Sequence, residues 1–225
     1  MASLRRSAGL TLIELLIAIT ILSLVIGVAT YGFSLFSQHW EGPRSGFERA
    51  AGQMQRLDLV GKALRDALPW IVKNEKGSPG FYFLGREEGL TLVTSSPIYA
   101  TDGPAVMRLF REPEPAGTYR LVYEEAPLSG VLLRNASQIL PFRHRLIVLE
   151  RQPAISFRYF GWRSLAEQLR ADEDGSSVSA IWSEEFDGIS RVVQPQRVGM
   201  RLGSFEAVYL MPDRSRTLME RASPL

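Results

Sequence analysis

Residues 9–36 read GLTLIELLIAITILSLVIGVATYGFSLF, an apolar run in which Glu14 is the only charged side chain. From Leu15 to Phe36 the chain holds 22 residues without a charge. A helix needs about 20 apolar residues to cross the hydrocarbon core of a bilayer. The run is therefore long enough to span a membrane, and it decides how the rest of the chain is organised.

The charges beside this run indicate its orientation. Arg5 and Arg6 precede it, and an excess of Lys and Arg marks the cytoplasmic side of a membrane helix. The N-terminus is therefore expected in the cytoplasm and the remaining chain in a periplasm. The alternative is a cleaved secretory signal, whose apolar region runs to about 7–15 residues before a small-residue cleavage site. Here the small residues at 27–30 lie inside the run, which favours a permanent anchor.

Glu14 is the most informative single residue of the run. A carboxylate at the bilayer centre costs roughly 2.5–3.5 kcal/mol on insertion scales, so such a residue is treated as functional by default. The alternative is that Glu14 lies near the membrane surface, where this cost falls. The residues around Glu14, at positions 9–16, form a more specific pattern than hydropathy alone, and this pattern favours a functional role for the carboxylate.

Residues 9–16, with the basic leader before them, resemble the processing signal of type IV pilins and of the pseudopilins of type II secretion. The resemblance implies that a prepilin peptidase removes residues 1–9 by cutting between Gly9 and Leu10, and that Leu10 becomes the N-methylated terminus. The family usually has phenylalanine at that position, so Leu10 is a departure. Glu14 occupies the fifth mature position. By resemblance it neutralises a neighbouring subunit's terminus and helps draw the subunit into a filament, since pairing makes a buried charge tolerable.

The amino-acid composition excludes several functional classes and bounds the kind of domain that follows the apolar run. The 225 residues have 26 basic and 24 acidic side chains, so there is no electrostatic argument for nucleic-acid binding. The absence of cysteine excludes thiol catalysis and thiolate metal sites. An exported domain without disulfides must rest on its own core, and a chain that is 45% hydrophobic can supply one.

The sequence after the apolar run predicts a second, amphipathic helical segment. Gly42-Pro43 should kink or interrupt the helix near the membrane exit. An apolar stripe with spacings of three and four then predicts a helix over 46–68; its members are Phe47, Ala50, Met54, Leu57, Gly61, Leu64 and Leu68. The predicted domains are a leader at 1–9, a membrane or filament-core helix at 10–40, and a periplasmic domain at 41–225.

The rest of the chain predicts antiparallel sheets. Short β-rich runs are separated by turn residues: Phe81–Leu84, Leu90–Thr94, Val106–Phe110, Tyr119–Tyr123, Val131–Leu133, Leu146–Glu150, Ile155–Phe160, Arg197–Leu202 and Phe205–Leu210. Residues 85–89 suit a hairpin, and residues 164–179 suit a helix plus a mobile loop. The predicted fold class is α+β, with a long N-terminal helix packed on antiparallel sheets as in pilins.

Residues 155–162, 181–182 and 195–202 resemble the late part of the minor pseudopilin called J. The shared features are an aromatic strand, a tryptophan near an acidic loop, and a proline before a closing strand. This resemblance implies a place beside I-type and K-type subunits and the major pseudopilin, in a short filament anchored at the inner membrane. The nearest alternative is a minor pilin of a type IV pilus or DNA-uptake filament, which shares every N-terminal feature.

Signals for chemistry are weak elsewhere, so no catalytic residue, cofactor or metal is expected. His39 and His144 are too few for a three-histidine site, and no Gly-x-Ser-x-Gly turn accompanies them. The acidic residues 172–174 lack the ligand spacing of a calcium loop. A set of aromatic residues could serve the core or subunit contacts: Phe157, Tyr159, Trp162 and Trp182. A membrane-anchored periplasmic enzyme or binding domain remains the alternative from another class, and it would need a deep polar pocket.

Overall fold

The computed structural model describes residues 12–74, 76–174 and 179–212; for residues 36–49 and 172–174 it describes the backbone alone. The chain divides into two compact units, with the boundary between Gly52 and Gln53. The first unit consists, in its described part, of helix. The second contains the end of that helix and the described strands.

Helix α1 runs over Leu12–Arg65 and passes through Gly42 and Pro43, so the predicted interruption there is wrong. A proline removes one backbone N–H from the hydrogen-bond ladder, and the bonds of its neighbours are sufficient to continue the helix. The predicted helix over 46–68 is also corrected at both ends. Its start is the interior of α1, and its end is Arg65, since Asp66 forms a turn and the chain then enters a strand.

The buried face of α1 differs in part from the predicted stripe. Leu64 and Gly61 are buried and Leu57 is half-buried, as predicted, but Met54 is 71% exposed. Val60 and Ala63 are fully buried instead. Phe47 belongs to the stretch described by its backbone alone. The last turns of α1 are enclosed over a wide face because strands of the second unit surround them, which a narrow stripe did not indicate.

The larger sheet of the second unit, within the described residues, is antiparallel and has seven strands. Six follow one another in the order β11-β4-β5-β6-β7-β8, and β1 pairs separately with β5. Their bounds are β1 Ala67–Leu68, β4 Phe83–Arg86, β5 Gly89–Thr94, β6 Ala105–Pro113, β7 Tyr119–Pro127, β8 His144–Gln152 and β11 Phe186–Asp187.

The smaller sheet has the order β10-β9-β12-β13 and is antiparallel throughout. Its strands are β9 Ile155–Gly161, β10 Ile181–Ser183, β12 Arg197–Leu202 and β13 Phe205–Leu210. A separate hairpin pairs β2, Ile71–Lys73, with β3, Pro79–Phe81. Two short α-helices, α2 Leu165–Asp174 and α3 Gly188–Arg191, and a 3₁₀ turn, Pro115–Gly117, complete the described part.

The structure confirms the α+β class and most of the predicted strands. The hairpin at 85–89 joins β4 to β5. The helix predicted within 164–179 is α2, and residues 175–178, on which the predicted mobile loop falls, lie outside the described residues. The strand predicted at Val131–Leu133 is wrong: these residues lie in the β7–β8 loop, where the Val131 N–H donates to the Leu128 carbonyl at 3.1 Å. The single strand predicted at Phe81–Leu84 is divided in the structure between the end of β3 and the start of β4.

The second unit has two groups of buried side chains. The larger lies between the two sheets and the end of α1, and Phe83, Tyr159 and Phe186 meet there edge to face or tilted at 5.6–6.5 Å between ring centroids. The smaller lies on the other face of the seven-stranded sheet, where the β7–β8 loop covers it with Leu133 and Leu140. The chain therefore builds its core without disulfides.

Candidate assembly site on the N-terminal helix

Glu14 lies in the first turn of α1 and is exposed. The positive end of the helix dipole favours a carboxylate at this place. Its apolar neighbours are also exposed: Leu12 by 83%, Ile13 by 67% and Leu16 by 58%. The carboxylate is thus presented on an apolar surface where another molecule can reach it. The predicted cleavage and methylation positions, Gly9 and Leu10, lie outside the described residues.

The apolar surface around Glu14 extends along the helix. Leu12–Leu35 is 24 residues long and apolar enough to cross a membrane, and none of it is buried within the chain. Burying a Leu or Ile side chain is worth about 1.5–3 kcal/mol, so leaving this many exposed to water would be very unfavourable. The segment needs an apolar surrounding from outside the chain, either lipid or the apolar surfaces of other subunits.

The polar side chains inside this segment fit such a surrounding. The Thr20 hydroxyl donates to the carbonyls of Leu16 or Ile17, at 3.1 and 2.8 Å, and the Thr30 hydroxyl donates to the Ile26 carbonyl at 2.8 Å. A hydroxyl buried without a hydrogen bond costs several kcal/mol, and these bonds remove that cost. The helix can therefore enter an apolar medium with its threonines satisfied.

In the second unit, a buried carboxylate holds the loop that follows β5. Glu125 is fully buried and accepts hydrogen bonds from the backbone N–H groups of Ile98 at 2.8 Å, Tyr99 at 3.0 Å and Ala100 at 2.6 Å. The Tyr123 hydroxyl also donates to it, at 2.7 Å. Burial, and this bond to a carboxylate, raise the pKa of Tyr123. Sequence analysis did not identify Glu125, because an acidic pair in a strand resembles a solvated face.

The same loop is tied to the end of α1. The Thr94 hydroxyl donates to the Ala63 carbonyl at 2.8 Å, and the Ser96 hydroxyl donates to the Asp66 carboxylate at 2.6 Å. Thr94, the last residue of β5, thus bonds the last turn of α1, and Ser96 in the following loop bonds the residue after α1. Glu125 holds the next part of that loop, residues 98–100.

Arginine and glutamate side chains alternate on the face of β6, β7 and β8 that also carries the smaller core group. Arg108 pairs with Glu124, Arg120 pairs with Glu112, and Arg145 reaches both carboxylates, at 3.4 Å for Glu124 and 2.6 Å for Glu112. Hydrogen bonds from Arg120 and then Arg145 lower the pKa of Glu112. These arginines are neutralised within the sheet, as expected of alternating charge on strands.

The four aromatic candidates fall into different places. Phe157 and Tyr159 are buried in the core, where the Tyr159 hydroxyl donates to the carbonyls of Arg86 or Gly89 at 2.8 and 2.9 Å. Trp162 is half-buried against the core. Trp182 lies on the outer face of the smaller sheet. The guanidinium carbon of Arg158 lies over its ring, 4.4 Å from the ring centroid.

The histidine and acidic candidates do not form a reactive site in the described part of the chain. His144 stacks on Tyr99 with ring centroids 5.1 Å apart, and the side chain of His39 lies outside the description. Across residues 12–74, 76–174 and 179–212, no three His, Asp or Glu side chains converge to hold a metal ion. The side chains of residues 172–174 also lie outside the description.

Comparison with known families supports the interpretation of the N-terminus. Residues 4–30 match the family described as "Prokaryotic N-terminal methylation motif". A comparison with the curated proteins finds no match. The matched region contains Gly9, Leu10 and Glu14, and it covers most of the exposed apolar helix, from Leu12 to Thr30. The chain thus carries the prepilin-type signal of type IV pilin-like proteins on an apolar helix that could serve as a membrane anchor, followed by antiparallel sheets.

Proposed function

We propose that this protein is a minor pseudopilin of a type II secretion system, most like the J subunit. In this role it packs beside I-type and K-type subunits at the tip of a short periplasmic filament and helps to prime assembly on the major pseudopilin. The observation that carries the proposal is the wholly exposed apolar helix Leu12–Leu35 with one carboxylate, Glu14, in its first turn. Such a helix needs other subunits or lipid around it, and Glu14 supplies a charge for a subunit's terminus to neutralise.

The second unit supports a minor rather than a major subunit. It carries two sheets and a long β7–β8 loop, and the aromatic strand β9, Trp182 and the Pro195-led strand β12 follow in the order that resembles the J subunit. On this proposal the protein catalyses no reaction, needs no cofactor and binds no nucleic acid. It is a single-pass protein of the bacterial inner membrane, with its N-terminus in the cytoplasm and residues 41–225 in the periplasm.

The first test is the intact mass and N-terminal sequence of the full chain, produced with and without a prepilin peptidase. Loss of residues 1–9 only with the peptidase, leaving Leu10 as the terminus, is the expected result. An uncut chain, or a cut near Ala29 by an ordinary signal peptidase, would overturn the proposal and favour an anchored enzyme or a secreted protein.

The second test separates the secretion system from a pilus. The processed protein is purified from membranes that contain all subunits of the host's filaments, and its partners are identified by mass spectrometry. Co-purification with I-type and K-type pseudopilins is expected. Co-purification with pilus or DNA-uptake subunits alone would instead identify a minor pilin.

A further inference from the structure

Within the described residues, the outer edge of strand β13 has no partner strand. β13 pairs with β12 from Arg197↔Leu210 to Leu202↔Phe205, and no described strand pairs with its other side. The Met211 N–H donates to the Gln196 carbonyl at 2.9 Å, towards β12. Backbone groups alternate in direction along an antiparallel strand, so those of Glu206, Val208 and Leu210 point to the outer edge. Three successive hydrogen-bonding positions are thus available there.

The other described edges of the two sheets are shorter than β13 or are contacted by another element. At the edge strand β8, the Val148 carbonyl accepts a hydrogen bond from the Arg56 side chain of α1 at 3.1 Å. The opposite edge of the smaller sheet, β10, spans the three residues Ile181–Ser183. Proteins normally protect edge strands by shortening, covering or charging them. Among the three residues of β13 whose backbone groups point to this edge, Glu206 has a charged side chain. That charge is already paired with Arg158, so it protects the edge less than an unpaired charge would.

The side chains along this edge are apolar and exposed. Val208 is 49% exposed and Leu210 is 67% exposed. Val208 lies across from Gly199, where an added Cβ would meet the side chains of Arg158 and Trp182, so this is the outer face of the sheet. Among the described residues, this edge therefore combines an apolar strip with backbone groups that no strand pairs.

Positive charge lies next to the apolar strip. Arg197 and Arg201 are exposed on the outer face, across from Leu210 and Glu206. Among the described residues, neither arginine has a carboxylate within ion-pair distance. The Arg197 guanidinium lies over the Phe160 ring of β9, 5.1 Å from its centroid, a contact that leaves its charge unneutralised. A strand added beyond β13 would lie about 10 Å from β12, within the combined reach of a glutamate and an arginine that turns from Phe160 towards β13. Charge complementarity thus favours an acidic occupant.

We propose that the β13 edge binds an extended segment of a neighbouring filament subunit, which adds to the sheet as a fifth strand. That segment carries apolar side chains across from Val208 and Leu210, and a carboxylate that pairs with Arg197. The inference rests on the proposed function, because it takes its partner from the same filament. Main-chain hydrogen bonds supply affinity in such strand addition, and the alternate side chains supply specificity.

Cysteine cross-linking tests this directly, since the chain contains no cysteine of its own. Val208→Cys and Leu210→Cys are made in the full chain, in cells with the remaining filament subunits, and labelled with a thiol-attached benzophenone, which on illumination inserts into C–H bonds of any side chain within reach. Ile139→Cys is the matched control, because Ile139 is 96% exposed in the β7–β8 loop, away from β13. We expect the edge positions to give an adduct with an acidic, extended segment of an identified filament subunit, at about five times the control yield.

A charge variant tests the acidic occupant. Arg197→Glu in the Val208→Cys chain should lower the adduct yield about fivefold, whereas Arg197→Lys should largely preserve it. Equal yields at the edge and at Ile139→Cys would overturn the inference. An adduct joining the edge to a second copy of this chain, or to its own residues 213–225, would overturn it as well.

The outcomes also separate this inference from the proposed function. Pseudopilins that co-purify without any edge adduct would overturn the β13 inference and leave the proposed function in place. An edge adduct with a pilus subunit would overturn the secretion role while retaining β13 as a strand-addition edge.

Discussion

Replacing Glu125 by glutamine should destabilise the second unit by about 3 kcal/mol. The carboxylate accepts from three backbone N–H groups and from Tyr123. An amide has one acceptor oxygen, so if that oxygen keeps Tyr99 and Ala100, the NH₂ group faces the other two donors, the Ile98 N–H and the Tyr123 hydroxyl. The Ile98 bond to a charged group is then lost, which costs about 1.5–3 kcal/mol, and the Tyr123 hydroxyl must turn to accept from the NH₂ group. The remaining bonds weaken because the acceptor is neutral. The smaller desolvation cost of the amide offsets part of this loss.

The assay is urea unfolding of the full chain in detergent, followed by tryptophan fluorescence, with limited proteolysis of the loop 95–104 as a second readout. Tyr123→Phe is the control, because it removes the hydroxyl's bond to Glu125 and a long one of 3.4 Å from the Ile98 N–H, leaves the carboxylate in place, and should cost about 1 kcal/mol. Glu125→Gln should also accelerate cleavage within the loop, since its backbone donors lose their anchor. A loss below about 1 kcal/mol, or no larger than that of Tyr123→Phe, would refute the reasoning that the carboxylate holds this loop.

Three further predictions concern the assembly helix, alkaline pH and the sheet packing. Glu14→Ala should leave leader cleavage intact and reduce the subunit's recovery in purified filaments about tenfold or more, as measured by immunoblot; normal assembly would contradict the role of Glu14. Burial raises the pKa of Tyr159 and Tyr123, so their neutral forms stabilise the fold below about pH 10. That stability is lost as the pH rises towards the pKa values of the folded state. In Tyr159→Phe the free energy of unfolding should therefore fall less steeply with rising alkaline pH than in the unsubstituted protein. Gly85→Ala should cost about 1–3 kcal/mol of unfolding free energy, because the new Cβ would lie 2.5 Å from the Tyr159 ring; an unchanged urea midpoint would show that the ring moves freely.

Several elements were predictable because their signals are local. The exposed helix Leu12–Leu35 follows from an unbroken apolar run, and the strands β5, β9, β12 and β13 follow from dense β-branched and aromatic residues bounded by turns. The hairpin between β4 and β5 followed from its turn residues. In each case a few neighbouring residues carry enough information to specify the backbone.

Other elements depend on contacts between distant residues. Val131–Leu133 has strand composition, yet it serves a loop because Leu133 covers the smaller core group while Leu132 is 64% exposed. β1 and β11 are two residues long, too short to show any periodicity. Glu124 and Glu125 are adjacent in the sequence, but the pleat sends one to the arginines on the face of the smaller core group and the other to the buried loop.

By itself, the sequence determined the prepilin-type signal at the N-terminus, the single carboxylate in the apolar helix and the α+β class. These properties depend on local order: a peptidase signal, a hydropathic run and short-range periodicity are all written in consecutive residues. Only the tertiary structure decided that Glu125 anchors the loop after β5, that Trp182 faces outward while Tyr159 is buried, and that the outer edge of β13 has no partner among the described strands. Those properties depend on the order and register of the strands in each sheet. Burial, charge pairing and edge exposure arise when residues that are far apart in the chain pack together.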